Sequence, residues 1–247
     1  MKKGLGIMLA FICACGAFGF AACGDKSHEH AWETEYAYDE GYHWQICAGC
    51  DEEQAKEKHS GYDCGVCGFV YTPTDEVLYR VSDDGTYATA VEYIGFDTEL
   101  FIASSYNGVP VTHIADNAFY QNEKLTKACI PGSVETIGKS AFDECRNLTK
   151  VVMMDGVLRI DDYAFRNCES LTEVVLPDTL TSMGYGAFYL CDALPKIVIP
   201  RGVTLINNYA FAYCYSITIY CEAESRPRDW DLSWNYGFPV VWGYTGE

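Results

Sequence analysis

The dipeptide Ala-Phe recurs every 23 residues, at Ala118-Phe119, Ala141-Phe142, Ala164-Phe165, Ala187-Phe188 and Ala210-Phe211, with no insertion or deletion from the first copy to the last. A chain that repeats with a fixed period builds a solenoid, because one unit cannot bury its apolar face alone and does so against its neighbours. The architecture follows from this spacing; a ligand does not.

Further columns keep the register. Three residues after each Phe stand Asn122, Cys145, Cys168, Cys191 and Cys214, and six after it Leu125, Leu148, Leu171, Leu194 and Ile217. Then come Ala128, Val151, Val174, Ile197 and Tyr220, followed by Ile130, Met153, Leu176 and Ile199. The pattern Leu-x-x-hydrophobic-x-hydrophobic is the strand segment of a leucine-rich repeat. An inward pair two residues apart requires a strand, since alternate side chains share a face only at a period of two. Ala141, Phe142 and Cys145 lie at helical spacing, which predicts a short helical turn before the strand. Val134, Val157, Leu180 and Val203, with Ile137, Ile160, Met183 and Ile206, carry the return leg. The fold class read from the sequence is an α/β solenoid of 23-residue coils, each a parallel strand plus a short helical turn, behind a small N-terminal zinc-ribbon-like domain.

Strands stacked at about 4.8 Å give five units a span of roughly 25 Å, short enough to need covered ends. Val77 to Val91 alternates around Asp83-Asp84-Gly85 and reads as a hairpin. Leu100 and Ile102 form an earlier strand, with a loop through Asn107-Gly108 before Val111. The inward position after Tyr220 falls on Glu222, and a carboxylate is rarely buried unpaired, so the sheet is expected to end near Cys221. The tail from Glu222 to Gly243, with Trp230, Trp234, Pro239, Val240, Val241 and Trp242, then folds over the open end. The domains are residues 1–22, a signal peptide; 23–72, a Cys/His module with its linker; 73–108, an N-terminal β cap; 109–221, the solenoid; and 222–247, a C-terminal cap.

The string Ile-x-x-x-Ala-Phe-x-x-Cys-x-x-Leu-Thr, as in Ile160 to Thr172, resembles the 23-residue unit of the BspA-like leucine-rich-repeat surface proteins of bacteria. Ile219-Tyr-Cys-Glu-Ala-Glu-Ser and Trp242-Gly-Tyr244 are similar to the closing segment of that group. The likeness covers about residues 77–247. It implies adhesion to host matrix or to other cells.

Lys2 and Lys3 precede an apolar run from Leu5 to Ala22 closed by Phe20-Ala-Ala-Cys23-Gly, the order of a secretory signal. The segment resembles a bacterial lipobox with Phe20 where Leu is usual, and the likeness implies acylation of Cys23 after cleavage. An uncleaved membrane anchor is the other reading, since about 18 apolar residues nearly span a bilayer. Both readings export the remaining chain. Two acyl chains on Cys23 would hold the protein at the membrane stably.

The formal charge is −18, and loss of residues 1–22 removes two lysines and no acid, leaving −20. Nucleic acid is therefore excluded as a partner, because phosphate recognition needs a basic face.

Cys47-x-x-Cys50 and Cys64-x-x-Cys67 are separated by 13 residues, close to the spacing at which paired knuckles give four thiolates to one tetrahedral zinc. His30, His43 and His59 supply alternative ligands. The preferred reading is structural zinc on the four cysteines; two cysteines with two histidines, a pair of disulfides in an exported chain, and a redox role are the alternatives. A segment of about fifty residues with few aliphatics needs such a staple to fold. The string His30-x-Trp32, His43-Trp44-x-x-Cys47 and Cys64-x-x-Cys67-Gly68 resembles small Cys/His modules in surface proteins of anaerobic bacteria. In the repeats, Cys145, Cys168, Cys191 and Cys214 read as free buried thiols filling a crowded turn, because parallel Cβ vectors fit a disulfide poorly.

Residues between the inward pair of each strand point outward. Lys127, Lys150, Glu173 and Lys196 form one column, and Cys129, Val152, Val175, Val198 and Cys221 the next, an apolar stripe expected on the exposed sheet face. Strand propensity, which favours branched residues whether or not anything docks, is the preferred reading of that column. Tyr163, Tyr185, Tyr189, Tyr209, Tyr213 and Tyr215 form a second patch on the helical side. His113 has no nucleophile to serve, and Asp229, Asp231, Glu222 and Glu224 read as solvated surface in the capping tail. No Gly-x-Ser-x-Gly, phosphate-binding loop or zinc-protease motif occurs. The expectation is a non-catalytic, lipid-anchored, adhesion-type scaffold for an extracellular protein or surface polymer; the alternative is a metal-handling or envelope-assembly component using the Cys/His module.

Overall fold

The computed structural model describes residues 73–246, together with the backbone of three short strands that precede them. Those strands, β1 (Ala37–Tyr38), β2 (Tyr42–Trp44) and β3 (Glu57–Lys58), form an antiparallel sheet in chain order. The hairpin that opens the solenoid pairs β4 (Val77–Val81) with β5 (Ala88–Tyr93). Its turn is tied by Asp84, whose Oδ1 accepts from the Ser82 hydroxyl at 2.6 Å and the Thr86 hydroxyl at 2.8 Å. In chain order there follow β6 (Glu99–Phe101), β7 (Ser105–Tyr106), β8 (Val109–Ile114), β9 (Lys127–Ile130), β10 (Thr136–Ile137), β11 (Lys150–Met153), β12 (Arg159–Ile160), β13 (Glu173–Val175), β14 (Ser182–Met183), β15 (Lys196–Ile199), β16 (Leu205–Ile206), β17 (Thr218–Cys221) and β18 (Val240–Trp242).

These strands make two walls. The return legs are β-paired, giving the order β4-β5-β8-β10-β12-β14-β16, parallel from β5 onward. The opposite wall is bonded in two runs, β6-β9-β11-β13 and β15-β17-β18, each parallel. A 23-residue period returns the same residue type to the same height in each coil, so threonines ladder as well: Thr149 Oγ1 donates to Thr126 O at 2.8 Å and Thr172 Oγ1 to Thr149 O at 3.1 Å.

Between the walls lies the aromatic spine. Phe119, Phe142, Phe165, Phe188 and Phe211 are buried, and successive rings stack at 4.7, 5.1, 5.2 and 5.7 Å between centroids. Leu125, Leu148, Leu171 and Leu194 fill the space beside them without exposed surface.

The helical turn expected around Ala141, Phe142 and Cys145 does not form; the described residues contain no α-helix. The residues two before and two after each Phe take positive φ: Asn117 and Gln121, Ser140 and Glu144, Tyr163 and Asn167, Gly186 and Leu190, Tyr209 and Tyr213. A left-handed residue every four positions forbids a right-handed helix. The backbone groups so released bond to the next coil: the amides of Asn117, Phe119 and Gln121 donate to Lys139, Ala141 and Asp143, and those of Ser140, Phe142 and Glu144 to Asp162, Ala164 and Arg166. The fold is therefore a β-solenoid whose third side is a ladder of tight turns.

The sheet also does not end at Cys221. The last coil is one residue short between Ile217 and its strand, so Ile219, not Tyr220, pairs with Ile197, and Tyr220 takes the outward place beside Val198. A one-residue shift flips every side chain to the other face; Ile219 and Cys221 are the inward pair, and Glu222 lies beyond it. β18 then adds one more parallel strand, Ile219 opposite Val240 and Cys221 opposite Trp242. Trp230 and Trp234 close the core over Phe211, with Trp234 6.0 Å from that ring and Trp230 Nε1 donating to Val203 O at 3.2 Å.

Candidate functional site

The β6-β9-β11-β13 wall carries the first candidate face. Its charged column is internally matched. Lys127 is buried, reaches Glu99 at 3.5 Å and lies 4.9 Å over the Phe101 ring, while Lys150 pairs with Glu173 at 3.0 Å. Lys196, one coil on, is exposed. The adjacent apolar column is not the open stripe expected. Cys129 and Val152 are at most 1% exposed and Val175 9%; with Met154 they form a second small core against which Phe101 packs. Val198 is half-buried, and Cys221 belongs to the main core through the shift described above. Apolar side chains crowded on this wall are covered rather than presented to solvent.

The tyrosines border the turn side of the solenoid. Tyr163, Tyr185, Tyr209 and Tyr236 form an edge-to-face series at 5.3, 5.5 and 6.0 Å, and Tyr189, Tyr213 and Tyr215 a second at 5.0 and 6.1 Å. All of these pairs but Tyr213–Tyr215 join one coil to the next, in an edge-to-face arrangement that aromatic quadrupoles favour. Hydrogen bonding to Tyr213 and burial push the Tyr236 phenol up to about 12.

The cysteine ladder is structural. Cys145, Cys168, Cys191 and Cys214 are free and buried, and each thiol donates to the carbonyl of the Phe in the preceding coil: Phe119 at 3.1 Å, Phe142 at 3.2 Å, Phe165 at 3.2 Å and Phe188 at 2.9 Å. Burial pushes the Cys145 thiol up to about 12, and those of Cys168 and Cys191 well above the ordinary value, which makes them poor nucleophiles. Asp143 is fully buried beside them, and its carboxylate accepts from Arg166 Nε at 2.8 Å and Nη2 at 2.7 Å, a bidentate pair across two coils.

The other wall has an outward row that the repeat columns do not announce. Arg80, Thr89, His113, Thr136 and Arg159 occupy one register line over β4, β5, β8, β10 and β12. With Tyr87, Asp116 and Asp161 they line an open groove of about 450 Å³. The Tyr87 ring lies 5.0 Å from that of His113, whose Nδ1 is 2.7 Å from the Thr112 hydroxyl. Arg159 Nε donates to Asp161 Oδ1 at 2.9 Å. Burial, followed by the compensating charge of Arg159, leaves the Asp161 carboxyl raised. The sequence signal for this row was the residue immediately before each inward Ile or Met of the return leg; its extension into the cap was hidden, because β4 and β5 have no counterpart at 23 residues.

A model of the BspA type leucine rich repeat region matches residues 109–223 in six copies. The leucine-rich-repeat protein TpLRR of T. pallidum is 31% identical, with a TM-score of 0.58 over 60% of this chain and 70% of its own. This chain belongs to the BspA-type leucine-rich-repeat family. A leucine rich cell surface protein of Faecalibacterium prausnitzii is 25% identical, TM-score 0.55, over 70% of this chain and 54% of that one. A leucine-rich-repeat protein of Bacteroides ovatus is 30% identical, TM-score 0.53, over 65% and 42%. The chain thus spans about half the length of the Faecalibacterium protein and less of the Bacteroides one. No curated protein matches it. The BspA-type unit accounts for the Ala-Phe, Cys and Leu columns together, as spine, turn filler and wall.

Cys23, His30, Cys47, Cys50, His59, Cys64 and Cys67 lie outside the described residues, and His43 falls in β2, of which only backbone is described.

Proposed function

We propose that this BspA-type chain is an exported surface scaffold, held to the membrane by lipid on Cys23, that binds an extracellular protein or surface polymer without chemistry upon it. The observation that carries the reading is the solenoid itself. Two walls of parallel strands present outward columns at a fixed pitch, while Lys127 and Lys150 are held in ion pairs and, on the turn side, the Cys ladder is held on Phe carbonyls and Asp143 on Arg166. The cell-surface description of the Faecalibacterium relative, which shares a quarter of its residues over 70% of this chain, supports the same location. An acidic balance of −18 keeps nucleic acid off the surface. Cys47, Cys50, Cys64 and Cys67 are proposed to hold a structural zinc that folds the membrane-proximal module.

Two measurements test the reading. Metabolic labelling with a radiolabelled fatty acid should mark the wild-type chain in the membrane fraction and leave Cys23→Ala unmarked; label that persists in the variant contradicts the anchor. Immobilised full-length chain should capture a saturable ligand from matrix proteins and bacterial surface polymers, and failure against the whole panel contradicts the scaffold.

A further inference from the structure

We infer that the groove over β4, β5, β8, β10 and β12 is a binding site for a neutral oligosaccharide chain lying across the strands. The inference deepens the scaffold reading and rests on it, adding the place and the ligand class.

Geometry sets the shape. Five strands at about 4.8 Å put Arg80 and Arg159 roughly 19 Å apart on a line, with Thr89, His113 and Thr136 between them in bonded register. This is an extended row for an oligomer rather than a pit for a single small molecule. The row is wet: Arg80 and Arg159 are exposed, and Thr136 and His113 half-buried. Among the described residues Arg80 makes no ion pair, and its exposed side chain lines the groove.

Charge selects the class. Arg80 and Arg159 in the groove are matched by Asp116 and Asp161, so the groove is close to neutral within a chain of charge −18. The field of the whole molecule repels polyanions, and a balanced groove gives a polycation no purchase. The groove offers donors from Arg80, Arg159 and the threonines beside acceptors from Asp116 and Asp161. A sugar hydroxyl is at once donor and acceptor, so a neutral polyol uses both kinds, and its bonds to ionised partners are the stronger ones. Tyr87, 36% exposed and braced by His113, adds an aromatic face at one side. A protein partner fits less well, because interfaces are anchored by desolvated apolar or aromatic pockets, and among the described residues this groove has only the exposed Tyr87 ring beside the His113 imidazole.

The test is affinity electrophoresis of the full chain in detergent through gels holding mannan, mixed-linkage β-glucan, xylan or, as the anionic probe, polygalacturonate. At least one neutral polymer should retard the wild type. Arg80→Ala, Arg159→Ala and Tyr87→Ala should each weaken that retardation about tenfold, with unchanged circular dichroism, while Tyr215→Ala on the turn side leaves it intact. Retardation by polygalacturonate alone, or by none of the four, overturns the inference. Neutral-polymer binding that ignores the groove variants, or falls with Tyr215→Ala, overturns this site while leaving the scaffold reading standing; absence of any saturable ligand in the capture assay sinks the scaffold reading itself.

Discussion

Replacing Phe165 by alanine probes the spine where it is most enclosed. The ring has no exposed surface and stacks between Phe142 at 5.1 Å and Phe188 at 5.2 Å, in both cases only 7° from parallel. Truncating a buried Phe costs about 3 to 5 kcal/mol, the upper end applying where the surroundings cannot collapse. Here they cannot. The amide of Phe165 is bonded to Ala187 O and that of Phe142 to Ala164 O, so the coils are pinned in height on either side of the gap. Two offset stacking contacts, each about 0.5 to 1.5 kcal/mol, are lost as well. The expected cost is therefore about 4 to 5 kcal/mol, a fall of roughly 8 to 20 °C in melting temperature for a domain of this size. Urea titration followed by tryptophan fluorescence should show a lower midpoint with an unchanged slope. Phe119→Ala, with one stacked phenylalanine neighbour instead of two, should cost less. A Phe165→Ala loss below about 1 kcal/mol would refute the stacked interior.

Arg166→Met should destabilise by about 3 kcal/mol, the lower end of the cost of breaking a buried ion pair because the arginine is a third exposed, and Asp143→Asn with Arg166→Met should recover part of it in a double-mutant cycle. The thiols of Cys145 and Cys221 are pushed up to about 12 by burial, so the folded form holds their protons more tightly than the unfolded one. Their contribution is full below the unfolded value near 9 and is lost as pH climbs towards 12; stability should fall on that alkaline side, and a flat profile there contradicts the assignment. The same thiols should resist a disulfide reagent in the native state and react once the chain is denatured. Elemental analysis should find about one zinc per chain, and chelation should unfold residues 28–67 while the solenoid persists; a metal-free chain whose four module cysteines are all oxidised contradicts the zinc site.

The spine and the wall columns were legible because each core position recurs at 23 residues, and periodic burial writes itself into the sequence more strongly than any propensity. The turns were not. Ala141, Phe142 and Cys145 bury the same way in a helix as in a turn broken by left-handed Ser140 and Glu144; the destination of the backbone amides separates the two, and side-chain spacing is blind to it. The last coil misled for a smaller reason. Ile217-Thr218-Ile219 stands where Leu194-Pro-Lys-Ile197 stood before, and the single missing residue reverses the parity of everything after it. The apolar column of Cys129, Val152 and Val175 is outward by alternation yet covered, since alternation fixes a side chain's direction and not what lies over it. The row from Arg80 to Arg159 joins a cap hairpin to two repeats and becomes a line only in three dimensions.

Successive coils are bonded to one another along the return legs and the turns, and along the opposite wall in two runs. Residue-resolved hydrogen exchange measures this directly. The amides of Phe119, Phe142 and Phe165, which donate to the next coil, should be protected as strongly as those of the threonine ladder at Thr149 and Thr172. Exchange at the phenylalanine amides as fast as in a frayed loop, with the threonines still protected, would contradict it.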